Sequence, residues 1–110
     1  MDEALRAVAD PTRRAILLLV RDEEVAAGAI AGRFPGISRP AVSQHLRVLV
    51  AAGLLTVRRD GNRRYYRLRR EGLAEAATFM ETMWSAPLAR LQRAAEGEES
   101  ARAGDEDAGG

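Results

Sequence analysis

Cysteine is absent from all 110 residues. Disulfides, thiolate zinc sites and thiol nucleophiles are therefore excluded together, and a reducing compartment is the natural setting. Lysine is missing too, since the 17 basic residues are all Arg. There is a single histidine, His45, and aromatic residues make up only 5% of the chain. The core must therefore be aliphatic, with mostly helical packing. No run approaches the roughly 18 apolar residues of a membrane span. The opening "MDEALRAVADPTRR" starts acidic and lacks the apolar stretch of a signal peptide, so a cytoplasmic location is expected. A chain of this length forms one domain by expectation. It buries a modest core and gains stability by pairing with a second copy.

What is present is unevenly placed charge. Residues 58–70, "RRDGNRRYYRLRR", hold seven Arg against one Asp, whereas residues 97–110 hold five acids against one Arg. Absence of Lys reflects coding bias, but coding bias does not gather charge in one place. A basic cluster on one short segment is the electrostatic footprint of a nucleic-acid binder. The acidic, Gly- and Ala-rich tail over 97–110 reads as disordered, leaving 1–96 as the ordered domain.

The pattern of elements is mainly α with a small β-hairpin. "DEALRAVA" gives a short amphipathic helix with Leu5 and Val8 on one side. "DPTRRAILLLVRD" starts a second helix, capped by Asp10 with Pro11 at its first position. "EEVAAGAIAGRF" predicts a weaker helix anchored by Val25, Ile30 and Phe34, with Gly28 and Gly32 each costing about 0.8–1 kcal/mol relative to Ala. After "PGI", Ser38 caps "RPAVSQHLRVLVAAG", which ends at Gly53. Pro40 falls in its first turn, where no intrahelical donor is needed.

"LLTVRR" and "RYYRL" then form a hairpin. With Gly61-Asn62 as the loop, Val57 faces Tyr66 and Leu55 faces Leu68. Shifting the loop by one residue would set Val57 against Arg64, so the period-two pattern selects the first register, with a type II′ turn. The last helix runs from about Glu71 to Glu96, with a stripe of Leu73, Ala77, Met80, Trp84, Leu88, Leu91 and Ala95. Pro87 predicts a kink or a break after Trp84.

A short turn between two helices is the helix-turn-helix arrangement, whose second helix enters the major groove, and a basic hairpin directly after it is a wing. On a helical wheel of 38–53, Val42, Leu46, Leu49 and Val50 mark the buried face, while Pro40, Ser43, Gln44 and Arg47 lie opposite. Gln suits adenine, Ser several base edges, and Arg guanine or phosphate. His45 falls on the flank. No second His or Cys could complete a zinc site around it, and no nucleophile stands ready for it as a base. It is either a peripheral DNA contact or a residue packed on a neighbouring element.

"ADPTRRAILLLV", "GISRPAVSQHLRVLVAAGLL" and "RRDGNRRYYRL" together resemble the ArsR/SmtB family of winged helix-turn-helix repressors, over roughly residues 3–70. The resemblance implies a homodimer joined through the first and last helices, with Leu5, Val8, Leu73, Ala77, Met80, Trp84, Leu88 and Leu91 in the interface. It implies double-stranded, palindromic operator DNA as the partner. DNA-facing positions then fall on Arg39, Pro40, Ser43, Gln44 and His45 of the helix and on Arg58, Arg59, Arg63 and Arg64 of the wing. Metal-sensing members carry a Cys box where this chain reads "EEVAAGAIAG", or His and acids on the last helix. Both are missing, so the chain looks like a non-metal branch of simple repressors or autorepressors that needs no cofactor. Ala27 stands where a Ser or Thr commonly caps. Trp84 fits interface packing, with an effector pocket beside Met80 and Met83 as the alternative.

Two other classes fit the sequence less well. A winged-helix protein-interaction module would have no use for the basic hairpin. An enzyme would need paired carboxylates, a nucleophile–base pair or a phosphate-cradling loop, and the sequence has none.

Overall fold

The computed structural model describes the backbone of residues 1–109 and the side chains of 1–83, 85 and 90–97. Its elements are α1 (Asp2–Ala7), α2 (Pro11–Leu19), β1 (Val25–Ala26), α3 (Ala27–Gly32), α4 (Arg39–Ala51), β2 (Leu55–Asp60), β3 (Arg63–Leu68) and α5 (Arg70–Gly109). Residues 1–76 form one compact unit and 77–110 a second.

Within the first unit, Ile16, Leu17 and Val20 of the α2 region meet Ile30, Val42, Leu46 and Leu49, closed by Leu54 and, from the sheet, Leu55, Tyr66 and Leu68. Tyr66 is the one aromatic residue in this core, and no polar or charged residue is buried among the described residues. The aliphatic, mostly helical core read from the sequence is what forms.

Caps decide where the helices start. The Asp10 carboxylate accepts from the backbone N–H of Thr12 at 2.8 Å and of Arg13 at 3.1 Å. The Arg13 bond, then that of Thr12 and the nearby charges of His45 and Arg13, outweigh partial desolvation and hold the Asp10 carboxyl below its ordinary range. A depressed carboxylate stabilises the fold above its unfolded pKa and loses that contribution as pH falls through the folded value. We therefore expect Asp10→Asn to lose part of the acid-side steepness of the thermal-midpoint-versus-pH curve, with little change at neutral pH. Ser38 caps α4, its Oγ accepting from Ala41 N–H at 3.2 Å, with Pro40 in the first turn. Ser38→Ala should cost about 1 kcal/mol in a denaturant titration.

The end of α4 is equally defined. Gly53 has φ +75°. Its N–H donates to Val50 O and the Leu54 N–H donates to Leu49 O, each at 3.0 Å. These two bonds make a Schellman cap, with Leu49 and Leu54 both fully buried across it.

The hairpin register is the expected one: Leu55 pairs with Leu68, Val57 with Tyr66, Arg59 with Arg64 and Asp60 with Arg63. Gly61 has φ +60° and Asn62 does not have a positive φ, as a type II′ turn requires. Two expectations are corrected. Val25 does not anchor a helix. It pairs with Tyr66 as part of β1, and Ala26 pairs with Tyr65, so the hairpin becomes a three-stranded antiparallel sheet in the order β1-β3-β2. A β-branched residue beside the open edge of β3 gains a strand pairing there that two further helical residues would not match. α3 is correspondingly short and begins after Ala26 without a side-chain cap.

The second correction concerns Pro87, since α5 is continuous from Arg70 to Gly109 with no break there. A proline removes one helical bond without forcing the helix to end. The backbone of 97–109, within the stretch expected as a disordered tail, continues α5, and nearly all of its side chains lie outside the described residues.

Candidate nucleic-acid interface

α3, a short turn and α4 lie in sequence ahead of the sheet, and the exposed face of α4 is the one the wheel marks. Arg39, Pro40, Ser43, Gln44 and Arg47 are exposed, whereas Val42, Leu46 and Leu49 are buried. The side chains of Ser43 and Gln44 have no hydrogen-bond partner among the described residues. Their donors and acceptors are thus available at the surface.

His45 is half-buried, with Nδ1 3.5 Å from Nη1 of Arg13 on α2. It thus touches a neighbouring element and stays partly open to the surface beside Gln44. Arg13 also donates through Nε to Ala7 O at 2.8 Å and through Nη2 to Arg6 O at 3.1 Å. Arg14 donates to Val8 O at 2.7 Å. The two arginines of "PTRR" therefore satisfy the last carbonyls of α1. Sequence reasoning missed this role, although two Arg shortly after a six-residue helix could have suggested it.

The seven arginines of 58–70 fall into two groups. Four are engaged within the protein. Arg58 pairs with Glu24 at 2.6 Å. Arg67 donates to Asp22 O at 3.4 Å, and Arg69 to Gly53 O at 3.2 Å. Arg70 pairs with Asp22 at 3.5 Å. Arg59, Arg63 and Arg64 make no ion pair or hydrogen bond among the described residues. Arg59 and Arg64 stand directly opposite each other, on the same side of the sheet as the buried Leu55, Tyr66 and Leu68. With Arg47 of α4 they line a groove of about 260 Å³ floored by Val50, Ala51, Val57 and Tyr66. Arg58 and Arg63 lie on the other side. The structure thus brings Arg47, Arg59 and Arg64 together and separates Arg58 and Arg63 from them.

Like charges directly opposite on one sheet face repel. The Arg59–Arg64 pair therefore carries a cost in the isolated protein that a polyanion in the groove would remove.

A helix-turn-helix domain family model matches residues 8–58. The HTH-type transcriptional regulator Rv2034 of Mycobacterium tuberculosis is 45% identical over 87 residues, covering 79% of this chain and 80% of that protein. The transcriptional repressor SdpR of Bacillus subtilis is 38% identical over 80 residues, covering 73% and 88%. The solution structure of the homodimeric winged helix-turn-helix DNA-binding domain of Mb0332 from Mycobacterium bovis, described as a possible ArsR-family transcriptional regulator, superposes with a TM-score of 0.60 at 31% identity, covering 76% of this chain and 77% of that one. The chain belongs to the ArsR/SmtB family of winged helix-turn-helix transcriptional regulators. It is accordingly a DNA-binding transcriptional regulator and not an enzyme.

For an ArsR/SmtB member, the residues that could hold a metal are few. No group of three or more His, Cys, Asp or Glu side chains gathers among the described residues. No described helix is long and apolar enough to cross a membrane.

The residues expected at a dimer interface are placed as follows. Leu5 of α1 and Val8 just after it are half-buried and pack on the core of their own unit. On α5, Ala77 is exposed, and Leu73, Met80 and Leu91 are exposed by 37%, 45% and 67%. Trp84 and Leu88 lie outside the described side chains.

Proposed function

We propose that this regulator is a cytoplasmic, homodimeric repressor of the non-metal-sensing branch, acting through residues 1–96 on a palindromic operator. Each α4 would lie in a major groove. Ser43 and Gln44 would read base edges, Pro40 would allow close approach, and Arg39, with His45 at the margin, would contact the adjacent backbone. Arg47, Arg59 and Arg64 would take the phosphates beside the groove, with Arg63 at the wing tip.

The observation that carries this is the unpaired α4 face set beside three arginines that have no carboxylate partner among the described residues. Dimerisation is supported by the exposed apolar residues of α5 and by the homodimeric state named for the Mycobacterium bovis domain. Repression is supported by the name of the Bacillus subtilis relative.

Footprinting on genomic fragments tests the proposal. Two protected half-sites about one helical turn, roughly 34 Å, apart are expected. Light scattering should give the mass of two chains. A monomer, or protection without dyad symmetry, would refute the dimeric form. Zinc or arsenite added to the complex should leave the footprint unchanged.

A further inference from the structure

Arg58 was matched to a DNA-facing wing position, yet its guanidinium is already occupied. Nε lies 3.1 and 3.2 Å from the two Glu24 carboxylate oxygens, and Nη2 lies 2.6 Å from Oε1. Its Cζ sits 4.5 Å from the centre of the Tyr65 ring, and Nη1 is 3.9 Å from Asp60. Register explains why these groups meet. Ala26, Tyr65 and Arg58 form one row across β1, β3 and β2. Glu24, two residues before Ala26, projects to the same side by strand parity. The side chains of Glu24 and Arg58 thus make a strap running over Tyr65 from one edge of the sheet to the other.

We propose that Glu24 is a positioning residue of the wing, holding Arg58 across Tyr65 so that Arg58 stiffens the sheet and stays out of the phosphate contacts. This rests on the DNA-binding role of the wing and refines it: Arg59 and Arg64 meet the backbone, and Arg58 does not. A bidentate carboxylate–guanidinium pair is the strongest geometry open to Arg, and the ring beneath adds cation–π attraction. The Arg58 hydrogen bond is also what lowers the Glu24 carboxyl below its ordinary range, against some desolvation. Because Arg58 carries its own counter-charge, DNA binding would release no counterion on its account.

Counterion release supplies a readout that a merely structural role would not move. The affinity for a mixed-sequence duplex of about 30 base pairs is measured against salt concentration, where each neutralised phosphate contributes about 0.9 to the log–log slope. Arg59→Ala and Arg64→Ala should each make the slope shallower by about 0.9 per protomer. Arg58→Ala should leave the slope where it was, while weakening binding about two- to fivefold at every salt concentration as the wing loosens. Glu24→Gln frees the guanidinium, so the slope should steepen by up to about 0.9 per protomer, and that gain should vanish in the Glu24→Gln, Arg58→Ala double variant. Circular dichroism confirms folding of each variant, with Arg58→Gln replacing Arg58→Ala if the latter does not fold. If Arg58→Ala flattens the slope as Arg59→Ala does, or if Glu24→Gln leaves it unchanged, the inference is overturned while DNA binding stands. If the unsubstituted protein shows no salt-dependent binding, the DNA role itself fails and the inference falls with it.

Discussion

A chain carrying both Arg59→Ala and Arg64→Ala should bind every duplex on the order of a thousandfold more weakly at physiological salt, with no change in which sequence it prefers. A slope of about 0.9 per phosphate, referred to molar salt, is worth roughly fivefold per contact near 0.15 M. Two wings with two arginines each would make four such contacts. The structure singles out these two because they share a face with Arg47 and have no partner among the described residues, whereas neighbouring Arg58 is committed to Glu24. Gln44→Ala should behave in the opposite way. It leaves the salt slope alone and costs about 1–3 kcal/mol per half-site on the operator, so the gap between operator and random DNA narrows. Fluorescence anisotropy with both duplexes across a salt series separates the two effects. Equal loss of slope in both variants would mean that Gln44 sits on the backbone and that the base-reading face has been misplaced.

The contrast between Arg58 and Arg59 shows what was legible in the chain and what was not. Local rules carried far. Asp10, Ser38, Pro40 and Gly53 marked helix ends that the structure reproduces, because caps act through neighbours two to five residues away. Alternation fixed the hairpin register through Val57 against Tyr66, since shifting the loop by one residue would have set Val57 against Arg64. The same alternation already implied that adjacent arginines in "RR" must face opposite sides, but counting charge over the segment merges them into one patch.

Long-range pairings were beyond reach. β1 is two residues long, too short to show a period, and it exists only because the edge of β3 is there to receive it. Glu24 and Arg58 are 34 residues apart in sequence, beyond the reach of any local rule. The strap became visible only once β1 was placed. His45 was legible as a flank residue, but its neighbour Arg13 belongs to another helix. At Pro87 a strong local rule lost, since α5 continues through it.

The Gly72–Gly53 contact leads to the largest expected change in stability. Gly72 lies in the first turn of α5 and is buried. A β-carbon there would stand 2.0 Å from the carbonyl oxygen of Gly53 and 2.9 Å from its carbonyl carbon. These are backbone atoms, so no side chain can swing aside. Gly53 cannot yield easily either. Its φ of +75° closes the Schellman cap of α4, its N–H is bonded to Val50 O, and its carbonyl accepts from Arg69 Nη1 at 3.2 Å. Arg69 N–H also donates to Leu54 O at 2.8 Å, fixing the chain just before α5. Relief must therefore come from shifting whole backbone segments against a core in which Leu49 and Leu54 are fully buried. Gly72→Ala should cost about 3 kcal/mol, the upper part of the usual range for overpacking. For a domain of this size that lowers the melting temperature by roughly 12–24 °C. Gly28→Ala is the matched control: it lies within α3 with open space around it, and should stabilise by about 0.5–1 kcal/mol through helix propensity alone. Melting curves of the two variants beside the parent decide the matter. A Gly72→Ala protein that melts with the parent would mean that α4 and α5 do not approach as closely as a glycine at this junction permits.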